Sequence, residues 1–154
     1  MYYSSVAARV RYFVAFDGMG LSEEAVRRTE SMLHADDDLV VGTAIPDGDT
    51  DFARERGWLD SDEPFELESV ADRAREDVTS LAPTATFKPV RVGRHASSGA
   101  VGSRLRRLVR DIEPEIVVVG SENAGHRTGG IGSIGSSIIG GDSYDVLVVR
   151  RARG

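Results

Sequence analysis

Five short apolar runs, separated by stretches with helical periodicity, set the tightest limit on how this chain folds. Across Arg9 to Phe16, Val10, Tyr12, Val14 and Phe16 alternate, while Phe13 and Ala15 make the other face apolar too. Runs of this kind suit parallel strands buried on both sides. Leu39 to Ile45, Thr86 to Val92, Ile116 to Val119 and Val146 to Val149 repeat the pattern. Pro89 lacks a backbone N–H, which assigns the third strand to an edge position or an edge-facing register. Between the strands lie helical patterns. Ser22 is expected to cap the first helix, with Glu23 and Glu24 in its first turn and a hydrophobic staple between Leu21 and Val26. That helix runs to about Ala35 and buries Ala25, Val26, Thr29, Met32 and Leu33. Pro64 is expected to open the second, striped by Leu67, Val70, Ala71, Ala74, Val78 and Leu81. Val101, Leu105, Leu108 and Ile112 mark the third, which stops before Pro114. A short fourth helix is expected over Ser133 to Ile139. Residues 46–63 read as an acidic, irregular excursion in which Phe52 and Trp58 cover something not identified from the sequence.

The order βαβαβαβαβ predicts an α/β fold: a single doubly wound open sheet, five mainly parallel strands in the order 3-2-1-4-5, with helices on both faces. Residues 9–150 make the domain, residues 1–8 an N-terminal extension and residues 151–154 a frayed tail. The 154-residue length fits one core.

Composition removes several chemistries. The chain has no cysteine, which excludes disulfides, thiolate catalysis and Cys-based zinc sites. A net charge of −6 argues against broad nucleic-acid binding. No apolar run approaches the roughly 20 residues of a membrane span. The N-terminal residues lack a basic start followed by an apolar segment, so the cytoplasm is the expected compartment. No Gly-x-Ser-x-Gly elbow, no His-Glu metal spacing and no Gly-Lys-Ser/Thr after Gly99-Ala-Val-Gly102 is present. We therefore expect a binding module and not an enzyme. A phosphoacceptor receiver domain would share the architecture, but Gly93 follows its third strand and Arg150 its fifth, where an acid and a lysine are needed.

The chemistry-bearing stretch is the last third. Ile116-Val-Val-Val runs into Gly120-Ser121, then a glycine-rich run leads to Gly132-Ser133 and the last strand. Strand, glycine loop and helix N-terminus together suit a phosphate, because backbone N–H groups and the helix dipole face the anion. The same glycines equally suit an ordinary surface loop. In an open α/β sheet, ligands bind where the winding direction reverses, here between the first and fourth strands. Asp17 follows the first strand, in the turn Asp17-Gly18-Met19-Gly20, and faces the glycine loop that starts at Gly120. Its carboxylate has two readings, a hydrogen-bond acceptor for ribose or base, or the closing group of an Asp-Gly turn.

Over nearly the whole length, from about Arg9 to Arg150, the chain resembles the universal stress protein family. The resemblance rests on Val14-Ala15-Phe16-Asp17-Gly18, on Val92-Gly93, on Ile116-Val-Val-Val-Gly120-Ser121, and on Gly132-Ser133-Ile134 followed by Val146-Leu-Val-Val149. The family's ATP-binding branch carries Gly, two residues, Gly, nine residues, then Gly-Ser or Gly-Thr. Here Gly120 and Gly132-Ser133 fit the ends, Asn123 occupies the middle glycine position, and eight residues separate it from Gly132. The resemblance implies a stress-response or signalling module that binds ATP or AMP, with magnesium. Asp17 would lie at the ribose, and Ala15 and Ala44 near the adenine. Gly120, Ser121, Asn123, Gly132, Ser133 and Ile134 would line the phosphate side. It also implies a homodimer through Val146 to Val149, with a further protein partner and neither nucleic acid nor membrane. The rival implication is a nucleotide-free dimerisation or adaptor module.

Two other features have plain readings. His126 and Arg127 in the glycine run read as solvated loop residues, with phosphate contact as the sharper alternative. Arg104, Arg106, Arg107 and Arg110 make the third helix basic, read as a solvated face paired with nearby acids, with an anionic partner as the alternative. Asp36-Asp37-Asp38 reads as a polar turn.

Overall fold

The computed structural model describes residues 9–120 and 143–150. Its strands are β1 (Arg11–Ala15), β2 (Asp38–Pro46), β3 (Thr86–Val92), β4 (Ile116–Gly120) and β5 (Asp145–Val149). Its helices are α1 (Gly20–Met32), α2 (Thr50–Glu55), α3 (Leu67–Leu81) and α4 (Ser98–Ile112). One sheet holds all five strands in the order β3-β2-β1-β4-β5, and every pairing is parallel. The doubly wound α/β order read from the sequence is therefore the observed one. The helix expected over Ser133 to Ile139 falls outside the described residues, as do residues 1–8 and 151–154.

Helices cover both faces. On one, α1 and α3 pack Val26, Val70, Ala74 and Val78 against Val14, Val41 and Ile45. On the other, α4 sets Leu105, Val109 and Ile112 over Phe13, Val40, Val117 and Val119. Strand β1 lies between β2 and β4, and Phe13, Val14 and Ala15 are buried. Pro89, on β3, pairs with Thr43 of β2, and β3 is an edge strand, where its missing N–H is tolerated.

Three local expectations are corrected. Helix α1 begins at Gly20 with Met19 at the N-cap, so Ser22 lies inside the first turn and Leu21 and Val26 do not bracket a cap. The helix also ends at Met32, which is exposed. Helix α3 starts at Leu67, three residues after Pro64. Glu63 accepts from the Asp60 N–H at 3.0 Å and pairs with Arg73 at 2.8 Å, which fixes a turn ahead of the helix and leaves Pro64 in its lead-in. The excursion over residues 46–63 contains α2, capped by Asp49, whose carboxylate accepts from the Phe52 N–H at 3.1 Å. Six residues are too few to show helical periodicity, although the cap itself was visible.

The polar turn at Asp36-Asp37-Asp38 is structural. Asp37 accepts from the Val10 and His34 N–H groups at 3.0 and 2.9 Å, and these bonds hold its carboxyl below the usual range. Asp38 pairs with Arg9 at 2.8 Å, and this contact lowers its carboxyl too.

Gly42 shows how tightly the α4 face is packed. A Cβ there would lie 2.7 Å from Phe13 and 2.9 Å from Leu108. Phe13 is fully buried and has no room to retreat. Gly42→Ala is expected to destabilise the fold by about 1–3 kcal/mol, as overpacking does. Denaturant unfolding checks this, and an unchanged midpoint would contradict it.

Candidate functional site

The carboxyl ends of β1, β2 and β3 open onto a cleft of about 180 Å3, on the face that α4 covers. Ala15 from β1 and Ala44 from β2 line it, with Val92 from β3 and Val101 and Leu105 from α4. Short side chains at the strand ends create the space, since Val, Ile or Leu at either alanine would fill it. Asp17, Arg56 and Ser98 bring polar groups to an otherwise apolar wall. The result is a flat-sided slot with a carboxylate and a guanidinium at its edge, suited to an apolar ring carrying polar substituents.

The turn after β1 is held from several sides. Gly18 has φ +81°, and a Cβ on it would meet the Trp58 ring at 2.8 Å. Trp58 is buried, donates its indole N–H to Asp77 at 2.7 Å, and packs against Phe16 and Phe52. Phe52 and Trp58 thus cover the end of the central strand. Ser22 Oγ accepts from the Asp17 N–H at 3.1 Å and lies 2.7 Å from Asp17 Oδ1, which also accepts from the Met19 N–H at 3.0 Å. Asp17 therefore closes its turn through Oδ1, the simpler of its two readings. Its Oδ2 has no hydrogen bond among the described residues, so one carboxylate oxygen stays available at the cleft.

Arg56 is the polar residue that sequence reasoning missed. Its guanidinium lies 3.7 Å from the centre of the Phe52 ring and donates to the carbonyls of Asp17 and Phe52. Burial pulls its pKa down, and the carboxylates of Asp17 and Glu55 pull it back up. The group stays charged, as arginine does in proteins. Nothing in the periodicity of an acidic segment singles out this residue. Ser98 was missed as well, although Ser97, which caps α4 by accepting from the Ala100 N–H at 3.1 Å, is a sequence-visible N-cap.

The structure thus brings Ala15, Asp17 and Ala44 to one cleft. Gly120 stands apart. It ends β4, and a Cβ there would meet Leu21 at 2.9 Å, so close packing of α1 on β4 already requires glycine. Ser121, Asn123, Gly132, Ser133 and Ile134 lie outside the described residues, as do His126 and Arg127.

Comparison with known proteins agrees with this architecture. The family model described as "Universal stress protein family" matches residues 11–150. Universal stress protein G of Shigella flexneri is 31% identical over 132 residues, spanning 86% of this chain and 91% of that protein. The same figures hold for universal stress protein G of Escherichia coli O157:H7. A crystal structure of a universal stress protein in complex with cAMP superposes with a TM-score of 0.60 at 20% identity, covering 94% of this chain and 98% of that one. The universal stress protein from Archaeoglobus fulgidus in complex with dAMP gives 0.53 at 13% identity, covering 91% and 97%. These structural matches support the fold. With the family match across nearly the full length and the identity to universal stress protein G, they lead to one conclusion: the chain belongs to the universal stress protein family.

Proposed function

We propose that this chain is a cytoplasmic stress-response or signalling module that binds an adenine nucleotide, ATP or AMP, and acts as a homodimer without being a dedicated catalyst. The observation that carries this reading is the slot between Ala15 and Ala44, with Asp17 and Arg56 at its rim. Drug-sized ligands fill pockets of about 300–1,000 Å3. A slot of about 180 Å3 suits a single planar ring system, with the sugar and phosphates outside it. The purine supplies the apolar faces, and the free Oδ2 of Asp17 accepts from a ribose hydroxyl. Related structures in complex with cAMP and dAMP support the same ligand class. Magnesium enters as the counter-ion of a bound triphosphate. A nucleotide-free adaptor is the second reading, favoured by the packing cause found for Gly120, the first glycine of the phosphate loop.

Nucleotide-stripped protein melted with and without millimolar ATP and magnesium, or AMP, separates the two. A ligand that binds only the native state stabilises it, by about 2.7 kcal/mol at a hundred times its Kd. We expect a rise in Tm, and we expect Ala44→Phe to remove it by filling the slot while leaving the circular dichroism spectrum unchanged. An unchanged Tm for the wild type would leave the adaptor reading. Binding that survives Ala44→Phe would move the site elsewhere.

The homodimer is proposed through β5. Among the described residues this strand ends the sheet, and Leu147 and Val148 are exposed at 38% and 39%. An unpaired strand edge with apolar side chains invites a second copy. Sedimentation should show a dimer for the wild type and a monomer for Val148→Lys. A monomeric wild type at micromolar concentration would contradict this interface.

A further inference from the structure

Arg56 has more hydrogen-bonding capacity than the fold uses. Its Nε donates to the carbonyl of Asp17, and its Nη1 donates to the carbonyl of Phe52 at 3.0 Å. These two bonds account for its part in holding the turn after β1. They leave Nη2, whose two N–H donors have no acceptor among the described residues. The same side chain lines the cleft, together with Ala15, Asp17 and Ala44. We propose that Arg56 reads the bound ring: its Nη2 donates to a ring nitrogen at the ribose end of the purine, N3 or N7. The proposal rests on the nucleotide reading above and adds a contact that the reading does not contain.

Burial makes these spare donors significant. The Arg56 side chain is 11% exposed, and its carboxylate contact among the described residues is Glu55, 3.4 Å away and 68% exposed. Such a pair is screened by water and compensates a buried cation poorly. Accordingly, burial lowers the pKa of Arg56 more than the carboxylates of Asp17, Glu55 and Asp49 raise it. Buried cations are normally paired, and buried N–H donors normally have acceptors. The cleft therefore holds a guanidinium with unsatisfied donors beside an apolar slot that has room for one ring system.

The surroundings of Arg56 narrow the acceptor. Its Cζ lies 3.7 Å from the centre of the Phe52 ring, so stacking on Phe52 restrains the plane of the guanidinium. A guanidinium donates in its own plane, as a rigid fork, which suits the in-plane lone pair of an aromatic nitrogen. Arg56 is bonded to the carbonyl of Asp17, the residue that takes the ribose in the reading above, and so stands at the sugar end of the slot. N3 and N7 flank the glycosidic nitrogen at that end, whereas N1 lies on the far side of the ring. Adenine and guanine share both nitrogens. Arg56 therefore selects for a purine ring and leaves the choice of exocyclic group to other parts of the cleft.

Titration calorimetry of the full chain with adenosine and its 1-deaza, 3-deaza and 7-deaza analogues tests the contact, because each analogue replaces one ring nitrogen by C–H. In the wild type, the 3-deaza or the 7-deaza analogue should bind about tenfold or more weakly than adenosine, the loss expected for a hydrogen bond to a charged group. Arg56→Met keeps an unbranched stem beside Gly18 and removes the donors. In this variant adenosine should bind about tenfold or more weakly, and the 3-deaza or 7-deaza penalty should vanish. A purely structural role for Arg56 would weaken all four ligands alike and leave every penalty in place. Arg56→Gln, too short to reach the ring, repeats the comparison should methionine there unfold the chain. The contact is overturned by the absence of a 3-deaza or 7-deaza penalty in the wild type, by a penalty that survives both variants, or by a 1-deaza penalty that the variants abolish. In each of these cases adenosine binding still upholds the cleft. Failure of the wild type to bind adenosine overturns both.

Discussion

The fixed end of β1 is the constraint on which the rest of the molecule depends. This strand pairs on both sides, with β2 and with β4, so its position sets that of the sheet. Just beyond it the chain must turn sharply into α1, and it does so at Gly18, in a backbone conformation that favours glycine and under the ring of Trp58. Trp58 is held by Asp77 on α3, Phe52 on α2 packs beside it, and Arg56 donates to the Asp17 carbonyl. The excursion after β2 therefore acts as a clamp on the central strand. Of these residues Asp17, Phe52 and Arg56 also line the cleft, so the packing that holds the turn also orders the polar groups at the site.

This arrangement explains why the cleft lies where it does. Parallel strands all end on one side, and the turn out of β1 and the first turn of α4 meet above them. Ala15 and Ala44 leave a gap at strand ends whose neighbours in the chain, Val14, Phe16, Thr43 and Ile45, are larger and buried. Gly42, two residues before Ala44, answers a different need, since it accommodates Phe13. Small residues in neighbouring positions thus do separate work, and only their surroundings distinguish them.

Much of the fold was legible in the sequence because apolar runs and helical stripes report burial directly. The strands and the stripe of α3 follow from that signal, the sheet order from the alternation of strand and helix, and the edge position of Pro89 from its missing N–H. Helix starts were less legible. Ser22 looks like a cap and serves Asp17 from inside the helix, and Pro64 looks like a first-turn residue but follows a turn fixed by Glu63 and Arg73 and stays ahead of the helix. Both depend on partners that local patterns do not reveal. At the site, Ala15, Asp17 and Ala44 come from strand ends that topology brings together. Arg56 comes from an acidic segment where nothing local marks it. Gly120 was visible for one reason, phosphate, and the structure supplies another, its contact with Leu21.

The central claim is that an adenine ring lies between Ala15 and Ala44. Intermolecular nuclear Overhauser effects from the H2 and H8 protons of AMP to assigned alanine methyl groups test it most directly. The account predicts cross-peaks to Ala15 and Ala44 at saturating AMP. Cross-peaks only to residues away from the strand ends, or none while AMP is bound, would contradict it.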